Sequence, residues 1–156
     1  VAGQNYSDGC LDPEYEMITS PDTIVGISDG GAHCGAIVDA GAPTLMLTHW
    51  VRDRTRGPRL GLEYAVKRQT FDLARFYGFP DRGRIAPGLK ADLNLIDFAN
   101  LKLDPPFMAD DLPTGAHRLM QTATGYVATL VAGEVVQRDG KETGARPGRL
   151  VRSRPA

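Results

Sequence analysis

With 156 residues, 42% of them apolar, 18 basic and 19 acidic side chains and a formal net charge of −1, the chain has the make-up of a globular protein. The charges are balanced and interspersed, which excludes a phosphate-tracking face and an electrostatic membrane anchor, so nucleic acid and membrane are not expected partners. No apolar run reaches the roughly twenty residues that cross a bilayer, and no charged-then-apolar leader opens the chain.

The two cysteines, Cys10 and Cys34, lack the paired spacing of a zinc knuckle or a redox dithiol. Free thiols in a reducing, cytoplasmic compartment are the expectation, with a disulfide between the two as the alternative. Val1 stands where a Met would open a complete chain, so the start reads either as a processed end or as a cut within a longer protein.

Val1 to Pro21 is rich in Gly, Asp and Tyr without sustained periodicity and reads as loop, with a short helical turn near Glu14 to Ile18. Thr23 to Ser28 has the continuous apolar character of a parallel-sheet strand covered on both faces. In Pro43 to Arg54, Leu45, Leu47, Trp50 and Val51 fall on one side of a helix that Arg56-Gly57-Pro58 ends. A second helix is expected through "LGLEYAVKRQTFDLARFYG". Leu62, Ala65, Val66, Phe71, Leu73, Ala74 and Phe76 are its apolar residues, Gly78 its stop, and Pro80 lies beyond.

After Asp81 short strands between Gly, Pro and Asp turns replace the helical periods, so the second half reads as mainly β. Ala91 to Phe98 is expected as a strand with Leu93 and Leu95 on one face. Tyr126 to Val131 and Glu134 to Arg138 are expected as a hairpin turning at Ala132-Gly133. The Pro- and Asp-rich stretch between them reads as a long connection over the surface.

The chemistry-bearing stretch is Ser28-Asp29-Gly30-Gly31-Ala32-His33, directly after the apolar run. A carboxylate at the carboxyl end of a buried parallel strand, followed by glycines that admit a ligand, sits where α/β barrels and open sheets place catalytic groups. A helix cap or an Asx turn would account for the same residues. His33 and Cys34 bring a metal ligand or proton carrier to the same place, or a loop histidine bonded to backbone. Asp29, His33 and Cys34 nevertheless match no recognised zinc spacing. His49 and His117 read as structural or solvated. Arg52, Arg54, Arg56 and Arg59 read as a solvated helix end, one of them available to a substrate carboxylate. No phosphate-binding glycine motif is present.

Taken in order, three stretches carry a resemblance: Ser28-Asp29-Gly30 after the apolar run, Leu62-Glu63-Tyr64-Ala65-Val66 with Gln69-Thr70, and "DRGRIAPGLKADLNLID". Together with the closing "VAGEVVQRDGKETGARPGRLVR", they resemble the C-terminal portion of the amidohydrolase superfamily, in its D-aminoacylase branch. The resemblance implies an α/β plus β fold. Residues 1–82 would hold the last strand and helices of a metal-dependent (β/α)8 barrel, and residues 83–156 part of a small β-sandwich domain.

It also implies that Asp29 is both the catalytic carboxylate and a metal-site residue, taking a proton from zinc-bound water and delivering it to the leaving amine. Gly30 and His33 would then belong to the substrate pocket. The remaining zinc ligands of that family precede this aspartate, so the chain alone is expected to hold no zinc and to be inactive. The longer parent would hydrolyse N-acyl-D-amino acids or related small amides. A cyclic amide of the hydantoin or dihydropyrimidine type is the alternative substrate, and a noncatalytic β-rich interaction module the alternative class. An unpaired apolar strand at Thr23 to Ser28 also leads to an expectation of self-association.

Overall fold

The computed structural model describes residues 9–26, 28, 31 and 33–153. Its first part is helical. Helix α1 spans Asp12–Thr19, with Pro13 in its first turn and Asp12 and Glu14 set against the positive end of its dipole. A single 3-10 turn, Asp39–Gly41, leads into α2, Ala42–Leu45, which continues as a π-helix over Met46–Asp53. Helices α3, Leu62–Gln69, and α4, Phe71–Phe76, come next.

The expected second helix is thus divided. At Thr70 the backbone leaves helical values (φ −124°, ψ −78°) while the Thr70 hydroxyl donates to Val66 O at 2.7 Å, a local bond that competes with the helix ladder. The expected stop holds: Gly78 takes φ +69°, and Phe79 N–H closes back onto Ala74 O at 2.7 Å.

The second part is antiparallel β. Strands β1 (Leu93–Ile96), β6 (Tyr126–Val131), β7 (Glu134–Arg138) and β8 (Lys141–Glu142) form one sheet in the order β1-β6-β7-β8. The β6–β7 hairpin turns where expected, with Ala132 at φ +51° and Gly133 at φ +84°, the left-handed pair that a two-residue turn requires.

Within β1 the register is unbroken from Leu93 to Leu95, which leaves the two on one face as expected, with Leu95 55% exposed; a bulge between Leu95 and Ile96 then breaks the alternation, and Ile96 packs against the core. The connection between β1 and β6 is structured. Strand β2 (Lys102–Leu103) pairs with β5 (Ala123–Thr124), and β3 (Phe107–Ala109) with β4 (Arg118–Met120).

The strand expected at Thr23 to Ser28 is a second correction. Thr23–Gly26 joins no ladder among the described residues, and Ile27 lies outside them. A strand exists only beside a partner, and every described ladder is antiparallel and made of other segments. The apolar character of this stretch has another cause, since Val25 packs on the core.

That core consists of Met46, Leu47, Trp50, Leu60, Ala65 and Leu101, with Tyr15, Ile18, Ile96, Phe98 and Tyr126 packed around it. Two arginines from the π-helix end join its parts: Arg52 is partly exposed in the last turn, and Arg54, which the sequence suggested as solvated, is buried. Arg52 reaches the turn after β1, donating from Nη1 to Phe98 O at 2.6 Å and from Nη2 to Leu101 O at 2.8 Å, while its Nε pairs with Asp53 at 2.6 Å.

Arg54 is 3% exposed. It pairs with Asp12 at the start of α1 and lies 4.7 Å from the Trp50 ring centre, so its charge is balanced and its flat face packed. Thr44 and Tyr126 add a hydroxyl contact of 2.7 Å between α2 and β6.

Leu101 is fully buried where these parts meet. Leu101→Ala is expected to lower the unfolding free energy by about 2–5 kcal/mol, through lost burial and the cavity left behind. Urea denaturation monitored by Trp50 fluorescence measures it.

Candidate functional site

Asp29 and Gly30, the two leading sequence candidates, lie outside the described residues, as do Ile27 and Ala32. Their flanks are described. Upstream, Thr23 C=O accepts a hydrogen bond from Arg68 Nη2 at 2.6 Å, and Thr23 Oγ1 donates to Met17 O near the end of α1. Arg68 sits on α3 with 7% of its surface exposed and its Nη1 3.8 Å from Asp72 Oδ2.

Downstream, the chain turns tightly. His33 C=O accepts from Ala36 N–H at 2.8 Å and from Ile37 N–H at 3.1 Å, with His33 exposed and at φ +44°. A left-handed conformation is uncommon outside glycine, although histidine is one of the residues enriched there. The next carbonyl, of Cys34, accepts from Leu119 N–H of β4 at 2.7 Å.

The chain then runs along the outer strands. At Gly41 a Cβ would stand 2.8 Å from Gln121 Oε1 and 2.9 Å from a Leu103 methyl, so a larger residue here would push those side-chain ends aside. Beside the Cys34 contact, Arg118 grips Asp111 through two bonds of 2.7 Å. That fork holds the Asp111 carboxyl below its usual range and raises the Arg118 guanidinium.

The structure therefore places Cys34 against β4 and leaves His33 exposed in the turn before it. His117 is exposed next to Arg118. His49 is half-buried beside the core: its ring meets Trp50 edge-on at 5.1 Å, and its Nε2 is buried without a partner. Burial first, and then the Arg54 charge, depress its pKa, with Asp53 acting the other way.

Sequence reasoning missed Arg68 and the Leu119 amide. Arg68 comes three residues after the covered Ala65, so a cation on a helical apolar stripe was the available signal. A backbone donor leaves no signal in sequence.

Cys10 and Cys34 are free thiols, as expected. Among the described residues, no group of three or more His, Cys, Asp or Glu side chains is placed to hold a metal ion, so these residues do not fit a metal centre. Also among them, no helix is long and apolar enough to cross a membrane.

Residues 4–137 match the profile of the Amidohydrolase family. Among solved structures, an aspartate-to-alanine mutant of D-aminoacylase in complex with copper chloride is similar at 30% identity and a TM-score of 0.52. That match covers 70% of this chain and 21% of the other. A D-aminoacylase crystal structure described as defining a novel subset of amidohydrolases matches at 30% identity and a TM-score of 0.48, over 66% of this chain and 19% of the other. The chain thus spans about a fifth of the length of either. No curated protein matches it.

The depressed His49 pKa carries a sign. An unfolded chain protonates His49 near pH 6.5 while the folded one still resists, so stability is greatest above that pH and falls as the solution is acidified through the folded-state pKa. The melting temperature is expected to drop between pH 7.5 and 5.5, and to drop less in His49→Gln, by calorimetry.

Proposed function

The chain belongs to the amidohydrolase family, and on that premise we propose that it is the C-terminal portion of an amide hydrolase whose proton-transferring carboxylate is Asp29. The observation that carries this reading is the family match over residues 4–137, which takes in the whole Ser28-to-His33 stretch. In this reading residues 1–82 are the end of the barrel and residues 83–156 part of the β-sandwich, and the longer enzyme acts on N-acyl-D-amino acids. The likeness to D-aminoacylase at 30% identity supports that substrate class.

A carboxylate can serve both halves of amide hydrolysis. It accepts a proton as water attacks the carbonyl and returns it to the nitrogen as the C–N bond breaks, which turns a poor amide anion into a neutral amine leaving group. Glycines around Asp29 leave room for the substrate, and His33 borders the pocket. The metal expected for the longer enzyme is zinc. The described residues offer it no ligand set, so in this reading its ligands are Asp29, outside those residues, and groups upstream in that enzyme. The chain alone is expected to be inactive and to self-associate. A cytoplasmic location is part of the same proposal, supported by the two free cysteines.

In the full-length enzyme, Asp29→Asn is expected to lower kcat on an N-acyl-D-amino acid by about 10²–10⁴-fold, with melting temperature unchanged. Unchanged turnover overturns the assignment. For the chain itself, elemental analysis after dialysis against metal-free buffer is expected to find no zinc, and light scattering to find a species larger than a monomer.

A further inference from the structure

Two arginines converge on one phenylalanine in the segment that joins the helical part to the sheet. The Arg75 guanidinium lies 5.7 Å from the centre of the Phe71 ring, and that of Arg84 lies 5.8 Å from it. Both arginines are exposed, and among the described residues neither forms an ion pair. The acidic neighbours are engaged elsewhere, Asp72 by Lys67 and Arg68, and Asp81 and Asp92 by Arg82. A guanidinium laid over a ring is held by its face and keeps the N–H groups at its edge for an anion.

The backbone builds this placement by two routes. Arg75 stands on α4, one turn after Phe71. Arg84 arrives from the other direction, after the chain has capped α4 at Gly78, bonded Phe79 N–H to Ala74 O, and returned past the start of the helix at Gly83. There a Cβ would stand 2.6 Å from Ala74 Cβ, 3.0 Å from Thr70 O and 3.1 Å from Phe71 Cα, at φ +89°, so only glycine permits the approach. Arg82, on the other side of Gly83, is used within the protein. It pairs with Asp81 at 3.0 Å and with Asp92 at 2.8 Å, and Asp92 also accepts from Ala132 N–H in the β6–β7 turn at 2.8 Å. Arg75 and Arg84 are therefore the two cations left for an outside group.

They border a groove of about 800 Å³ whose lining, among the described residues, holds three arginines and no acidic side chain. In a chain of net charge −1 this is a local excess of one sign. The rest of the wall is aromatic. Phe76 and Tyr77 meet edge-on at 5.1 Å, Tyr77 stacks on Phe79 at 6.4 Å, and Phe76 and Tyr77 are 64% and 51% exposed. A groove of this size takes a whole small molecule. Its flat ring faces suit a planar apolar body, and two unpaired guanidiniums match the double negative charge of a phosphate monoester. We propose that the groove between α4 and residues 78–84 binds a small aromatic phosphate monoester, with its phosphate held by Arg75 and Arg84 and its ring laid on the Phe76, Tyr77 and Phe79 surface. This site goes beyond the proposed hydrolysis and does not depend on it.

Saturation-transfer NMR on the full-length protein, with phenyl phosphate as the probe, tests the assignment. A dissociation constant of about 1 mM is expected, weakening severalfold as sodium chloride is raised to about 0.2 M. Inorganic phosphate lacks the ring and is expected to displace the probe only at about tenfold higher concentration; benzyl alcohol lacks the charge and is expected to bind about tenfold more weakly. Arg75→Gln and Arg84→Gln are each expected to weaken the probe about tenfold with unchanged melting temperature, and Phe76→Ala about threefold.

No saturation transfer to phenyl phosphate, or an affinity untouched by both arginine substitutions, overturns the site. Inorganic phosphate that competes as strongly as unlabelled phenyl phosphate overturns the aromatic contact and with it the ligand class. Should one arginine variant melt at a lower temperature, the other variant and the salt series decide, and an affinity insensitive to salt overturns the proposal.

Discussion

The Arg52 guanidinium is the contact on which the rest of the structure depends. It leaves the end of the π-helix and gathers the carbonyls of Phe98, Ala99 and Leu101, at the point where the chain turns out of β1. Carbonyls that converge at a turn need donors, and a planar cation with several N–H groups supplies them at once. Asp97 finishes the same turn on its exposed side by accepting from Asn100 Nδ2 at 2.7 Å and from its backbone N–H, which also draws the Asp97 pKa down. With the turn fixed, Leu101 is seated in the core. Gly125 closes over it, at a place where a Cβ would stand 2.7 Å from Leu101 Cα.

How far the sequence revealed this varies with the range of the interaction. The β6–β7 hairpin was legible because Ala132-Gly133 interrupts two apolar-rich runs, and the helix around Trp50 because its apolar residues recur at helical spacing. Strands β2 to β5 escaped notice since two or three residues carry no period. Arg52 and Arg54 were read as solvated from their charge alone. Their placement depends on partners at positions 98–101 and at Asp12, which no local pattern shows.

Thr23 to Ser28 failed in the opposite way. Its composition was that of a buried strand, but composition reports covering, not pairing, and Val25 is covered by the core without any ladder. For the candidate site, the Ser28-to-His33 stretch stood out as a run of types. Which distant groups hold its flanks was invisible, because one is a backbone amide and the other a basic residue on a helix. Thr23 is held against α1 and α3. Cys34 is held against β4 and Gly41 lies beside Leu103 and Gln121, contacts that join the helical part to segments more than sixty residues later in the sequence.

The π-helix has a consequence of its own. Its wide turns, closed by bonds such as Arg54 N–H to His49 O at 2.9 Å, hold one more residue per turn-closing bond than an α-helix would. Each residue added to or removed from an α-helix rotates the downstream chain by about 100°. Tightening Met46–Asp53 to α-helical pitch at the same length would therefore turn Arg52 away from the 98–101 carbonyls and Arg54 away from Asp12 together. The width of this helix, as much as its side chains, is what aims the two arginines.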